Sequence, residues 1–349
     1  MKRKDIWVFV DNEGPQTKND NAQENTVELA KLCGLGEQVG IGFYQRMSVI
    51  DDIWGDFGKV EKDPYYSSGH TLKVILPFFK AMGATYQWLY KFARQSIKIV
   101  PNIAGVLHSL DRKYTVRQVS TSYEFFIKAY CDLVKFDLKK SYYTKVPEFD
   151  KIPISKEDAE VLKAFMKQIA TWPVIIYSER NGETIIGHRD YYNAISGFIW
   201  EFVFHLPVGK FLRNVHPVGQ QQKREILINN RQKFDIPIEN MFYVGDSQTD
   251  VGCVQYLKGK GLTMMFNGKG KVCNDSDLMF IGEDARIIEE VADLFAIHGR
   301  EWTLGHYTPS RRVKHGVIAA VTPQNIEELK EMSVRKRKEF RGVHIGELT

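Results

Sequence analysis

The stretch IWVFVDNEGPQ, residues 6–16, decides the fold. Its first five residues are β-branched, aliphatic or aromatic and read as a buried strand. The run stops at Asp11, and Asn12, Glu13, Gly14 and Pro15 supply a turn. Downstream, Val27/Ala30 and Leu29/Leu32/Cys33 fall at helical spacing, with Gly34 placed to stop the helix. The chain therefore opens strand, acidic turn, helix. Two acids two positions apart at a strand's carboxyl end belong either to a solvated turn or to a reactive site, and the remaining sequence has to choose between them.

Working outward, residues 37–110 read as mainly helical, through QRMSVIDDIWG, TLKVILPFFKAMG, TYQWLYKFARQ and NIAGVLHSL. YTVRQVSTSY (114–123) returns to strand composition and EFFIKAYCDLV is the helix after it. A second long stretch, 136–214, holds a helix opened by the Ser155/Asp158 capping pattern and a hairpin signal at Asn181-Gly182. Then QQQKREILINNRQKFDIP reads as helix, MFYVGDSQTD as a strand entering a second acidic turn, and TDVGCVQYLKG as helix. GLTMMFNGKG is another strand, and DLMFIGEDARIIEEVADLF a strand and helix. The final fifty residues predict one helix, with Thr322 as N-cap and Pro323 in its first turn. Alternating strands and helices imply an α/β fold: a three-layer α/β/α, Rossmann-like core around a parallel sheet. The expected organisation is a core of 1–15, 111–135 and 215–299, a helical cap (16–110), a second, mixed insertion (136–214) and a basic C-terminal extension (300–349).

Composition is that of a folded protein: 349 residues, 43% hydrophobic, 26% charged, with a formal charge of only +5. The basic excess collects late, at Arg311, Arg312, Lys314, Arg335–Lys338 and Arg341, and reads as a solvated helix face; no nucleic-acid partner is expected. Cys33, Cys131, Cys253 and Cys273 are scattered without zinc spacing, which fits a reducing, cytoplasmic setting. The apolar run before Asp11 is too short for a signal sequence. The best membrane candidate, ISGFIWEFVFHLPVG, is broken by Glu201, His205 and Pro207, so no membrane insertion is expected.

Ligands of open parallel sheets gather at the carboxyl ends of the strands. Three predicted strands end in complementary groups: Asp11 and Glu13, Ser120 and Thr121, Asp246 and Asp250. Lys223 lies on the helix before the third. Clustered carboxylates repel and call for a hard, oxygen-preferring cation, magnesium above all. A carboxylate beside such a cation can attack phosphorus. That chemistry needs a lysine to balance phosphoryl charge, a hydroxyl to hold oxygens and a second acid for the leaving group. The set contains each. Arg224 competes with Lys223 for the cationic place.

VFVDNEGP, VSTS, Lys223 and VGDSQTD, in that order, resemble the four motifs of the haloacid dehalogenase (HAD) superfamily of phosphatases. DNEGPQTKNDNAQE, YYSSGHTLKVILPF, VSTSYEFF, YVGDSQTDV and FNGKGK are similar to a branch of it named energy-converting hydrogenase A subunit R-like, over most of residues 5–299. The resemblance implies Asp11 as nucleophile, Glu13 as general acid/base with its main-chain carbonyl on the metal, and Ser120 as phosphate-binding hydroxyl. It implies Lys223 as the charge-balancing lysine, Asp246 as metal ligand and Asp250 as its support. Thr121 and Ser122 stay open as alternatives to Ser120. Glu13 departs from the superfamily's usual Asp and Pro15 from its Thr or Val, which bears on proton transfer to the leaving group. The function implied is Mg2+-dependent hydrolysis of a small phosphorylated metabolite through an aspartyl-phosphate. The alternative is a catalytically weak accessory or regulatory subunit of a hydrogenase-type complex, with a protein partner. YYSSGH and the aromatic residues of the second insertion are expected to line the pocket.

Overall fold

The computed structural model describes residues 5–56, 60–180 and 183–342. Among the described residues there are ten strands: β1 (Trp7–Val10), β2 (Thr115–Tyr123), β3 (Ser141–Thr144), β4 (Tyr177–Arg180), β5 (Glu183–Ile186), β6 (Met241–Gly245), β7 (Leu262–Phe266), β8 (Leu278–Gly282), β9 (Arg311–Val313) and β10 (Gly316–Ala320). Eight form one sheet in the order β3-β2-β1-β6-β7-β8-β10-β9. β3 through β8 run parallel, while β10 is antiparallel to both β8 and β9. β1, β6, β7 and β8 are buried at every position. Covered on both faces, they read as continuous apolar runs without alternation.

The helices are α1 (Asn21–Leu32), α2 (Glu37–Asp56), α3 (Thr71–Ala81), α4 (Tyr86–Ser96), α5 (Ile103–Lys113), α6 (Glu124–Val134), α7 (Lys156–Thr171), α8 (Arg189–Gly197), α9 (Lys210–Asn214), α10 (Gln220–Phe234), α11 (Val251–Leu257), α12 (Val272–Asp275), α13 (Arg286–His306) and α14 (Ile326–Arg341). Trp7 and Phe9 of β1 face Leu227 of α10 and Cys253 and Leu257 of α11. Val8 and Val10 point the other way, into the core shared with Leu107 of α5 and Ile288, Ala292 and Phe295 of α13. These are the three expected layers. Ser155 caps α7 by accepting from Asp158 N at 2.9 Å, as its sequence pattern predicts. β4 and β5 pair antiparallel on either side of the predicted hairpin turn; Asn181 and Gly182 themselves lie outside the described residues.

The expected domain boundaries need three corrections. Residues 136–214 begin with a core strand, because β3 pairs with β2. The helix α7 of that stretch packs on α2 and α3, so the two insertions form one body instead of two separate closures. Third, residues 300–342 are no peripheral extension: β10 is buried against β8, and Leu329 of α14 joins a core with Met265, Met279 and Ala319. The helix also starts later than its sequence suggests. Asn325, not Thr322, is the N-cap; its side chain accepts from Thr322 N and donates to Ala320 O, which closes a turn over residues 322–325.

Candidate active site

The strand order reverses direction at β1: the chain goes from β1 to β2 on one side and later to β6 on the other. Such a switch point opens a crevice beyond the carboxyl ends of the strands. The register fixes what stands there. Val10 pairs with Gln118 and with Val244, so Asp11 follows level with Val119 and Gly245, and Ser120 and Asp246 flank the next position. Asp11 N donates to Val244 O at 2.9 Å, which continues the ladder one residue past the strand. The two acidic turns, 235 positions apart in the chain, are thus neighbours.

Lys223 joins them. It sits on the first turns of α10, fully buried, and its Nζ donates to Asp11 Oδ2 (2.6 Å), Asp250 Oδ1 (2.8 Å) and Thr249 Oγ1 (3.1 Å). Arg224, its neighbour on the helix, is exposed. Asp250 is saturated: Oδ1 also accepts from Tyr243 OH (2.6 Å), and Oδ2 from Asp246 N (2.8 Å) and Ser247 N (3.0 Å). Burial alone would lower Lys223, but Asp11 and Asp250 outweigh it and hold the ammonium above its ordinary value. Burial would likewise raise Asp250, yet Lys223, Tyr243 and the backbone pull it below the usual carboxylate range. For Asp11 burial is the larger influence, and it pushes the carboxyl up against the pull of Lys223.

Two glycines are required by this packing. Gly14 has φ +100°, and a Cβ there would lie 2.3 Å from Asp246 Cγ; at Gly245 a Cβ would lie 2.4 Å from Asp250 Oδ2. Ligand atoms of Asp11, Asp246 and Asp250 lie within 4.8 Å of one another, an all-oxygen set suited to a hard cation. With Asp250 spent on four donors, Asp11 and Asp246 are the carboxylates able to turn toward one.

Glu13 is arranged differently from its expected setting. Its Oε1 accepts from Asn21 N (2.6 Å) and Asn21 Nδ2 (2.8 Å), so it caps the start of α1 together with Asp20. It still lines the cavity, and burial first, then the nearby Asp20, raises its pKa to about 8. Ser120 is buried and accepts from Ser122 N at 3.1 Å. The hydroxyls of Thr121 and Ser122 have no hydrogen-bond partner among the described residues. All three residues line the same cavity, which encloses about 130 Å³.

The whole chain, insertions and C-terminal elements included, shares its fold with a solved structure. No family model and no curated protein sequence matches it. Among solved structures it is similar to gene product AF1437 from Archaeoglobus fulgidus, at 23% identity over 99% of each chain and a TM-score of 0.80. More distant likenesses include a phospho-aspartyl intermediate analogue of phosphoserine phosphatase (14% identity, 82% of this chain and 99% of that one, TM-score 0.47). Another is the HAD family hydrolase t0658 from Salmonella enterica serovar Typhi (11%, 78% and 66%, TM-score 0.42). The likeness to the Archaeoglobus protein speaks to the fold.

Other site residues carry no local signal. Arg337 and Arg341 of α14 donate to Asp246 Oδ2 at 2.6 and 3.0 Å, and Arg337 also donates to Asn267 O at 2.9 Å. They belong to the run that reads as a solvated face; one of its faces is buried in the cavity, while Arg335 stays exposed. Gln16 holds the backbone of Asp11, donating to Asp11 O at 2.8 Å while accepting from Tyr130 OH. The expected pocket aromatics do not appear: Gly69 alone of YYSSGH lines the cavity, with no described residue of 136–214. Tyr66 instead donates to Asp51 Oδ1 at 2.6 Å, stiffening the cap wall.

Proposed function

We propose that the chain is a HAD-type phosphohydrolase that cleaves a small phosphomonoester through an aspartyl-phosphate on Asp11. One observation carries the reading: a buried lysine bridges Asp11 to a second acidic turn at the switch point of a parallel sheet, with Asp246 beside it. Asp11 attacks phosphorus, a new P–O bond to its carboxylate forms, and the ester P–O bond breaks. The leaving alkoxide takes its proton from Glu13, whose raised pKa keeps it protonated near neutral pH. Glu13, now a base, takes a proton from water as that water attacks the aspartyl-phosphate, releasing inorganic phosphate and restoring Asp11.

Lys223 balances the charge of Asp11 and of the phosphoryl group, and Ser120 binds a phosphoryl oxygen, with Thr121 and Ser122 adjacent. Asp11, Asp246 and the main-chain carbonyl of Glu13 would hold Mg2+, supported by Asp250 through the backbone. When bound, that ion supplies neutralisation of phosphoryl charge. Phosphate release from a panel of phosphomonoesters tests the reading in wild type and Asp11→Asn, with magnesium and with chelator. Release that needs both Asp11 and metal is expected. Equal release by Asp11→Asn overturns the mechanism, and no release from any compound favours an accessory-subunit role.

A further inference from the structure

The cavity contains cationic groups that this reading does not use. Lys223 has none to spare, because its three N–H donors are taken by Asp11, Asp250 and Thr249. Lys269 is different. It lies on the loop after β7, which reaches the same sheet edge, and its backbone N donates to Asp246 O at 3.1 Å. Its side chain lines the cavity and is only 9% exposed, yet Nζ has no hydrogen-bond partner among the described residues.

Arg337 repeats the pattern. It is 3% exposed and lines the same cavity; Nη1 is engaged, while Nε has no partner. The two groups lie within electrostatic reach: burial first, then Arg337, holds Lys269 well below its ordinary pKa. Asp52 and Asp246 are the acids facing Lys269, and Arg341 adds a further positive charge. A buried lysine amine without an acceptor, beside a guanidinium with an idle donor, is costly to charge in isolation. It is the arrangement expected where an anion completes the site.

We propose that Lys269 and the Nε edge of Arg337 form a second anion subsite in the Asp11 cavity, selecting phosphomonoesters that carry a further anionic group, a carboxylate or a second phosphate. This rests on the phosphohydrolase reading for the place of the first phosphoryl group. The subsite lies across Asp246 from Asp11, so the ester would span the acidic turn, its phosphoryl group at Asp11 and its second charge toward α14.

The test uses matched pairs that differ in one anionic group, phosphoglycolate against ethyl phosphate and propane-1,3-diol bisphosphate against propyl phosphate. Binding is measured by calorimetry to the full-length Asp11→Asn chain with magnesium. At least one doubly anionic member should bind about tenfold tighter than its partner, the scale of one charge-assisted hydrogen bond. Adding Lys269→Met should erase that gap and leave the plain monoesters within about twofold, while Lys269→Arg should retain it; unchanged thermal melting shows that the variants are folded. A gap that survives Lys269→Met, no gap in either pair, or no binding by any doubly anionic compound overturns the subsite. The preferred pair separates carboxylate from phosphate. Wild-type turnover is read separately: Lys269-dependent binding without hydrolysis would remove the phosphohydrolase reading and leave the subsite standing.

Discussion

Asp250→Asn isolates the frame of the site from its chemistry, because the change is isosteric and reverses the polarity of one carboxylate atom. Asp250 accepts from four donors: Lys223 and Tyr243 on Oδ1, and the backbone N–H groups of Asp246 and Ser247 on Oδ2. Asparagine has one acceptor atom, so its amide NH2 must face two donors. If it faces the backbone pair, both of those charge-assisted bonds are lost. If it faces Lys223, the ammonium loses one of two carboxylates, and only Tyr243 can rotate its hydroxyl to compensate. Two lost bonds to a charged group at about 1.5–3 kcal/mol each give a destabilisation of about 3–6 kcal/mol. Tyr243→Phe removes a single donor and leaves Asp250 three, so it should cost only about 1.5–3 kcal/mol. Urea unfolding at neutral pH measures both, and hydrogen exchange at the Asp246 and Ser247 amides reports which orientation the asparagine takes. A cost below about 1 kcal/mol for Asp250→Asn, or a larger one for Tyr243→Phe, would refute the view that four donors fix this carboxylate.

Gly14→Ala places a Cβ 2.3 Å from Asp246 Cγ at φ +100°. It should destabilise by about 1–3 kcal/mol and weaken Mn2+ binding followed by paramagnetic resonance, and unchanged affinity would separate Gly14 from the cation site. Glu24 is pushed up to about 7 by burial, against the donation of Asn19 to both its oxygens. The folded state then binds more protons than the unfolded one between pH 4.5 and 7, so stability falls as pH rises through that window, by about 3 kcal/mol. Glu24→Gln should flatten this slope in urea titrations at stepped pH, and an unaltered slope would assign it to other groups. Deleting residues from 309 onward strips β9, β10 and α14, exposing the β8 edge and Met279; the product should aggregate or lose cooperative melting. A truncated chain that melts like the full one would make the C-terminal region dispensable to the fold.

The parts of the fold legible in the sequence are those with one-dimensional causes. β1, β6, β7 and β8 are buried on both faces and so appear as apolar runs, and α6 and α7 carry their boundaries in composition and in the Ser155 cap. Asp11, Lys223 and Asp246 were readable for a related reason: each follows a strand or rides a helix whose type was plain, and the parallel sheet brings such ends together. β3 and β9 were not readable, since SYYT and RRV are mostly half-buried or exposed and lack the apolar run that marks β1 and β6 to β8. β10 was missed although GVIAA carries such a run. The setting of Glu13 was missed because its partner, Asn21, is defined by where α1 starts in space. Arg337 failed for the opposite reason: helical spacing identifies a face but does not say what that face meets.

That last failure bears on how the site divides its labour. The sheet ends supply Asp11, Ser120 and Asp246, the groups that the proposed phosphoryl transfer uses, on a frame locked by Lys223 and Asp250. Asp20, Tyr44, Ser48, Asp51 and Asp52 of the helical insertion form a second wall, and Lys269, Arg337 and Arg341 a third. Asp51 braces the second wall by accepting from Gly69 N, Thr71 N and Tyr66 OH, each at 2.6 Å. The two outer walls carry opposite charge and come from segments far apart in the chain. Under the proposed function, a ligand anchored by its phosphoryl group at Asp11 meets both walls, and the walls touch: Asp52 faces Lys269, and Arg341 donates to the backbone of Lys18 and Asn19 beside Asp20. Substitutions on these walls should redistribute substrate preference, whereas substitutions at Asp11, Lys223 or Asp250 should affect every substrate alike.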